Sequence, residues 1–326
     1  MNKLLKAIEK FEDRKILVIG DIILDEYVYG EISRINPEAS SSHLVKVKEE
    51  EYFLGGAANV ANNLASLGCG TYLFGVIGEG LCAGKIDELC NKAKINLESI
   101  AGYDGRPTVL KKRVMVDNHQ IIRMDYEKTN EINRVLENMI LDDFKKYIGE
   151  ADCIAISDYD KGTLTKNLSQ KIIKMANKNK VPVLIDPKPQ NVNYFKNSNV
   201  IRLNHHEASI ITNIDYKNGN NLIKTAKKLQ KITNSQYTII SCGKDGLFVY
   251  DGNKNKKIGT NAKELADVTG AGDTVLAGLC LGLTSGLNIY EASELANYMA
   301  GIVVGKVGTA IVTKKELIQA IKKDYK

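Results

Sequence analysis

Six short apolar runs carry Val and Ile without clean polar alternation: Ile16–Gly20, Tyr72–Ile77, Cys153–Ser157, Val181–Asp186, Val200–Leu203 and Thr238–Cys242. A strand with one wet face alternates polar and apolar residues; a strand covered on both faces does not. Between these runs lie stretches with helical spacing, at Ala57–Leu67, Ala83–Lys94, Arg134–Ile148, Thr165–Asn179 and Leu222–Ile232. Buried strands in alternation with helices specify an α/β chain: a doubly wound, mostly parallel sheet with helices on both faces. In such sheets a ligand sits outside the carboxyl ends of the strands, so the residues just after each run are the candidates for function.

Two segments break the rhythm. His43 to Phe53 and Thr108 to Asp125 alternate like exposed strands, with Asp117-Asn118 where a hairpin turn belongs. They predict a small β-sheet lid over the strand ends, built from insertions near 26–54 and 104–126; the alternative is a pair of edge strands on the main sheet. No linker, repeat or low-complexity tract divides positions 1–326, which read as a single domain. The net charge of +6 is spread along the chain. It suits anionic small molecules, and lacks the basic stripe with interleaved aromatics that nucleic-acid binding needs. No apolar stretch has the length of a membrane span or the form of a signal peptide, so a cytoplasmic protein without membrane contact is expected. The six cysteines form no CxxC pair and read as buried thiols.

The chemistry concentrates in Asp267-Val-Thr-Gly-Ala-Gly-Asp273, which leads into a long apolar helical stretch from Thr274 to Leu283. Gly270 and Gly272 allow a tight turn and close backbone approach to a ligand. The helix then presents unpaired amides and the positive end of its dipole, a setting for the negative charge of a transferring phosphoryl group. Asp273 stands where it can take a proton from an attacking hydroxyl. An Asp at a helix start is also an ordinary cap, so this string needs company. It has some in Leu54-Gly-Gly-Ala-Ala-Asn-Val-Ala-Asn-Asn63: Gly55 and Gly56 turn into a helix on which Asn59, Asn62 and Asn63 share a face, and carboxamides both donate to and accept from ligand hydroxyls. A polar solvent face would show the same spacing.

Together these two strings resemble the signatures of the ribokinase/PfkB family of carbohydrate kinases, a likeness that runs from about Lys15 to about Thr313. No Gly-x-x-x-x-Gly-Lys-Ser/Thr loop is present, so the likeness is not to P-loop kinases. The resemblance implies a ribokinase-like fold, ATP as phosphoryl donor with Mg²⁺, and Asp273 as base, with the amides of Gly270, Ala271 and Gly272 as an anion hole. It implies that Asp25, with Asp21 beside it, Gly55, Gly56, Asn59 and Asp158 meet the sugar. Lys188, in Asp186-Pro-Lys188, is placed to bind a phosphate. In Asn204-His-His-Glu207 the family's Asn-x-x-Glu motif implies that Asn204 and Glu207 help place Mg²⁺, through water, and the ATP phosphates; the same four residues also form a capping-box pattern. Ser241, Gly243 and Gly246 fall where the family closes on the nucleotide, Asn297 where it contacts adenine, and Asp267 and Thr269 where some members hold K⁺. Lid sheets of the family often pair between subunits, which implies a homodimer.

Within the family the likeness is nearest to the heptose 7-phosphate kinases, on Gly20-Asp-Ile-Ile-Leu-Asp25, Gly30 to Ala39, Ser157-Asp-Tyr159, Asp186-Pro-Lys188 and Ala300 to Thr309. It implies phosphorylation of O1 of D-glycero-β-D-manno-heptose 7-phosphate to the 1,7-bisphosphate, in lipopolysaccharide precursor synthesis. Arg34, Lys161, Lys188, Lys112 and Arg113 are the candidate cations for the resident phosphate. After Pro37-Glu-Ala39, where the family continues with Pro and Val, this chain has Ser40-Ser-Ser-His43, and Glu79 stands where Asp is commoner. The His-x-Gly-His motif of the nucleotidyltransferase domain that many heptose kinases carry is absent, so adenylyl transfer is expected of a separate protein. Kinases of the same fold acting on fructose phosphate, ribose or a nucleoside are the rival assignment, and a non-catalytic sugar- or nucleotide-binding regulator is the remote one.

Overall fold

The computed structural model describes residues 3–35, 43–101, 105–117, 119–216, 220–261 and 266–324. All six apolar runs are strands of one nine-stranded sheet. In chain order these are β1 (Lys15–Gly20), β4 (Gly70–Ile77), β5 (Asn96–Ala101), β8 (Cys153–Ser157), β9 (Val183–Asp186), β10 (Val200–Asn204), β11 (Tyr237–Ser241), β12 (Leu247–Tyr250) and β13 (Asn255–Ile258). Their spatial order is β13-β12-β11-β10-β9-β8-β1-β4-β5, parallel from β5 to β11 and antiparallel at the β12 and β13 edge. The absence of alternation has a direct cause. Ile16 and Val18 pack into the apolar layer under α2 (Ala57–Ala65), α8 (Ala271–Thr284) and α9 (Ile289–Val303). Leu17 and Ile19 pack into the opposite layer, under α4 (Arg134–Tyr147) and α5 (Lys166–Asn179). Each strand thus feeds two cores, and each buried Ile or Leu contributes about 1.5–3 kcal/mol on either side.

A separate four-stranded sheet has the order β3-β2-β6-β7, from β2 (Ile22–Ile35), β3 (His43–Gly56), β6 (Val109–Val116) and β7 (His119–Tyr126). The predicted small sheet is therefore present, and its strands are not edges of the main sheet. Its extent differs from expectation in one respect that matters. Gly20-Asp21-Ile-Ile-Leu-Asp25 reads as the end of the first strand, but β1 stops at Gly20 and β2 begins at Ile22, so Asp25 belongs to the small sheet. The chain crosses between sheets at Asp21 and returns at Gly56, where the Ala57 amide bonds to the Asp21 carbonyl at 3.0 Å. Gly56 has φ +57°, and a Cβ there would collide with that same carbonyl. Asp117, at φ +49°, turns β6 into β7; Asn118 lies outside the described residues, as do Pro37 to Ser42.

Two features set the position of a site. From β1 the chain steps to β4 on one side and later to β8 on the other, a switch point of the kind at which open α/β sheets bind ligands. The first turn of α8 reaches the same end of the sheet, where Asp273 meets Tyr159 of the loop after β8. Among the described residues no helix is long and apolar enough to cross a membrane, and all six cysteines are free thiols.

Candidate active site

Asp273 lies in the first turn of α8, buried, with both carboxylate oxygens occupied. Oδ2 accepts from Asn59 Nδ2 at 2.8 Å and Oδ1 from the Tyr159 hydroxyl at 2.9 Å. Asn59 is held in turn from α2, where Asn63 Nδ2 donates to its carbonyl at 3.0 Å and to its Oδ1 at 3.2 Å. Gly270 caps the helix at φ +75°, and a Cβ there would stand 2.6 Å from Asn59 Nδ2. Burial pushes the Asp273 carboxyl up to about 7; the Asn59 and Tyr159 bonds restrain the rise, Asp186 adds to it and Arg202 opposes it. A carboxylate that ionises near neutral pH is suited to take up a proton and give it back.

Beside Asp273 a cleft of about 750 Å³ opens between the ends of β9, β10 and β11 and the starts of α8 and α9. Its walls bring together Lys188, Asn204, Glu207, Ser241, Gly243, Gly246, Asn297 and the Gly270-Ala271-Gly272 turn, which are distributed over more than a hundred positions of sequence. Asn204 caps α6 (His205–Thr212) in a full capping box: its Oδ1 accepts from the Glu207 amide at 2.9 Å, and Glu207 Oε2 accepts from the Asn204 amide at 3.0 Å. The other Glu207 oxygen takes Lys188 Nζ at 2.7 Å. Asn297 donates to the Gly259 carbonyl at 2.7 Å. Asp158 and Tyr159 also line this cleft, whereas Asp21, Asp25, Gly55, Gly56 and Asn59 do not; Asp25, Gly55 and Gly56 belong to the small sheet, and Asn59 reaches Asp273 from α2.

The pfkB family carbohydrate kinase profile matches residues 13–316. This chain belongs to the pfkB family of carbohydrate kinases. It is therefore a phosphotransferase that acts on a sugar hydroxyl, and membership in a kinase family implies use of ATP. Among curated relatives, the bifunctional protein HldE of Aliarcobacter butzleri is 40% identical over 304 residues, and that of Helicobacter hepaticus 38% over 307. These alignments take in 93% and 94% of this kinase but 63% and 64% of the relatives, so it spans a little under two thirds of their length. Escherichia coli phosphofructokinase-2 in complex with fructose-6-phosphate superposes with TM-score 0.79 at 15% identity, over 96% of this chain and 99% of that one. Arabidopsis thaliana ribokinase, complexed with ribose and ATP, gives 0.75 at 18%, over 95% and 98%. These similarities establish the ribokinase-like fold.

Several other predicted residues have definite partners. Asp25 Oδ1 pairs with Arg113 Nη1 at 2.6 Å, both buried, and a Cβ on Gly55 would collide with Asp25 Oδ2. Asp21 is committed to backbone: it accepts from the amides of Tyr159, Lys161 and Thr163 at 2.9, 3.0 and 3.1 Å, bracing the loop after β8. Asp158 is likewise held by the amides of Lys188 and Asp160, both at 2.9 Å. Burial, then the nearby Asp21 charge, pushes its carboxyl up to about 7 against those bonds. Asp267 Oδ1 accepts from the Thr269 amide and hydroxyl at 2.9 and 2.7 Å, and Oδ2 from the Gly308 amide at 3.1 Å.

Among the cations proposed for a substrate phosphate, Lys112 faces away, bonded to Glu26 at 2.7 Å on the outer face of the small sheet. Strand alternation is the reason: Lys111 and Arg113 face the site and Lys112 does not. Lys161 pairs with Glu127 at 2.7 Å; the Arg34 side chain lies outside the described part. Lys111 has no carboxylate within ion-pair distance among the described residues, and its ammonium stands 5.1 Å from the Tyr159 ring centroid. Sequence reasoning passed over Lys111 and Arg202, and quoted Tyr159 in a motif without giving it a role. Arg202 was the detectable one, as a lone charge inside an otherwise apolar strand.

Proposed function

We propose that this kinase transfers the γ-phosphoryl group of ATP to O1 of D-glycero-β-D-manno-heptose 7-phosphate, giving the 1,7-bisphosphate used in making lipopolysaccharide precursors. The observation that carries the choice of sugar is the similarity to HldE proteins along nearly the whole chain. In this reading Asp273 takes the proton of the acceptor hydroxyl as its oxygen attacks the γ-phosphorus. The bond from that phosphorus to the β,γ-bridging oxygen breaks, and ADP leaves with the electron pair. The amides of Gly270, Ala271 and Gly272 face the phosphoryl group in transit. Asp25, Gly55, Gly56 and Asn59 orient the sugar, with Asp158 on the crevice wall, while Asp21 acts through the loop it braces. Lys111 and Arg113 give the lid side a positive potential that suits a phosphorylated acceptor. Ser241, Gly243, Gly246 and Asn297 line the ATP side.

Among the described residues no group of three or more His, Cys, Asp or Glu is placed to hold a metal ion. Both Glu207 oxygens and Asn204 Oδ1 are already hydrogen-bonded. These residues therefore fit Mg²⁺ that arrives on the nucleotide and touches them through water, neutralising phosphate charge. Asp267 and Thr269 fit K⁺ at the turn into α8; near them Thr309 Oγ1 is buried with no hydrogen-bond partner among the described residues. The outer face of the small sheet exposes Val47 and Ile122, 51% and 52% accessible, beside Val28, Val45 and Val114. Such a face suits pairing with a second copy. The assignment is tested by incubating purified enzyme with ATP and, separately, heptose 7-phosphate, fructose 6-phosphate, ribose and adenosine. A kcat/KM for heptose 7-phosphate at least about a hundredfold above the others is expected, on the scale of a pocket whose polar groups the wrong acceptor leaves unpaired. Equal or better use of another acceptor refutes the sugar, and no ADP from any of them refutes the transfer.

A further inference from the structure

Arg202 sits in β10 among Val200, Ile201 and Leu203, all fully buried, and is itself only 7% exposed. A guanidinium is costly to bury unless its donors are satisfied. Nη1 donates to Asp186 Oδ2 at 2.7 Å, while Nε and Nη2 donate to Ser241 Oγ at 3.1 and 2.9 Å. A guanidinium carries five N–H bonds, so one on Nη1 and one on Nη2 find no acceptor among the described residues. The head lines the cleft beside the α8 N-terminus. A Cβ on Gly272 would stand 2.6 Å from Nη1, so the glycine that exposes its amide also leaves the room the guanidinium fills.

We propose that Arg202 is a further catalytic residue, whose two uncommitted N–H groups bind oxygens of the phosphoryl group as it passes from ATP to the acceptor. This rests on the assignment of the cleft to ATP. As the bond from the γ-phosphorus to the β,γ-bridging oxygen breaks, negative charge gathers on that oxygen and on the non-bridging oxygens; the electron pair leaves with ADP and the acceptor's proton goes to Asp273. A cation fixed in advance by Asp186 and Ser241 meets that charge without reorganising. Lysine is no substitute, because a single ammonium cannot hold the same fork. The competing role is a brace that ties the ends of β9, β10 and β11 together.

The test compares Arg202→Gln, Arg202→Lys and Arg202→Ala with Asp273→Asn, measuring kcat, the Kd of MgADP by calorimetry, and its tightening by aluminium fluoride with acceptor present. Loss of a fixed donor at developing charge predicts a fall in kcat of about a hundredfold or more for both Gln and Lys. The Kd of MgADP stays within about threefold, the aluminium fluoride effect disappears, and millimolar guanidinium ion restores part of the turnover of Arg202→Ala. A Kd that weakens in step with kcat, without rescue, makes Arg202 a brace and overturns the proposal. So does a wild-type kcat in Arg202→Gln while Asp273→Asn is inactive. Wild-type turnover in both variants overturns the underlying assignment of the site itself.

Discussion

Replacing Asp273 by Asn should make the kinase inactive and, at alkaline pH, more stable. The carboxyl is buried and ionises at about 7 in place of its ordinary 3.8. At about 1.4 kcal/mol per pH unit, ionising it in the folded chain costs about 4 kcal/mol relative to the unfolded chain. The sign follows from proton binding. Between pH 3.8 and about 7 the folded state keeps the proton that the unfolded state has lost, so stability falls as pH rises through this window, and the full cost is present above it. Asn has no charge to bury, and its carboxamide can still meet Asn59 and the Tyr159 hydroxyl. The variant is therefore expected to gain about 2–4 kcal/mol at pH 8, and little at pH 4, in urea titrations. Asp158, also raised to about 7, makes the wild-type curve slope in the same window, so the difference between wild type and variant is the quantity to measure. Turnover should fall by about two to four powers of ten, and wild-type kcat/KM should drop about tenfold per pH unit below pH 7. A stability difference that does not change with pH refutes the electrostatic argument. Near-normal turnover refutes Asp273 as the base.

Gly55→Ala places a methyl group against Asp25 Oδ2; displacing that carboxylate should raise the acceptor's KM about tenfold or more while the KM for ATP holds, since small misplacements in a site are costly. Equal effects on both substrates would show a general disturbance. Arg113→Met leaves Asp25 buried without its partner, a loss of about 3–5 kcal/mol measurable as a lower urea midpoint; an unchanged midpoint would mean that Asp25 is better solvated than its burial implies. On the outer face of the small sheet, Val47→Lys with Ile122→Lys should convert a dimer to a monomer in sedimentation velocity without loss of secondary structure. A wild-type monomer at tens of micromolar would dispose of that interface.

The motif lines of this chain are local, and local physics made them legible. Ile16–Gly20 or Cys153–Ser157 could be read as doubly covered strands because apolar side chains on both faces leave no period of two. Asn204 and Glu207 could be read as a capping box because the four residues that close it are contiguous, and the box is present. Gly270 and Gly272 announce a turn into α8 by themselves, since backbone freedom belongs to the residue. What the sequence could not reveal is what meets across the molecule. Asp25 was placed at a strand end, yet it stands in β2, because nothing local marks where a chain leaves one sheet for another. Lys111 and Lys112 are equivalent as text; pairing of β6 with β2 decides that one faces Asp25 and the other Glu26. Tyr159 and Asp273 lie 114 positions apart and share a hydrogen bond. The types of chemistry available were thus in the sequence, while the choice of which charges are buried, paired or left free toward the cleft was made only by tertiary contacts. Burial and distance set the energy of a charge, and neither is a property of a residue alone.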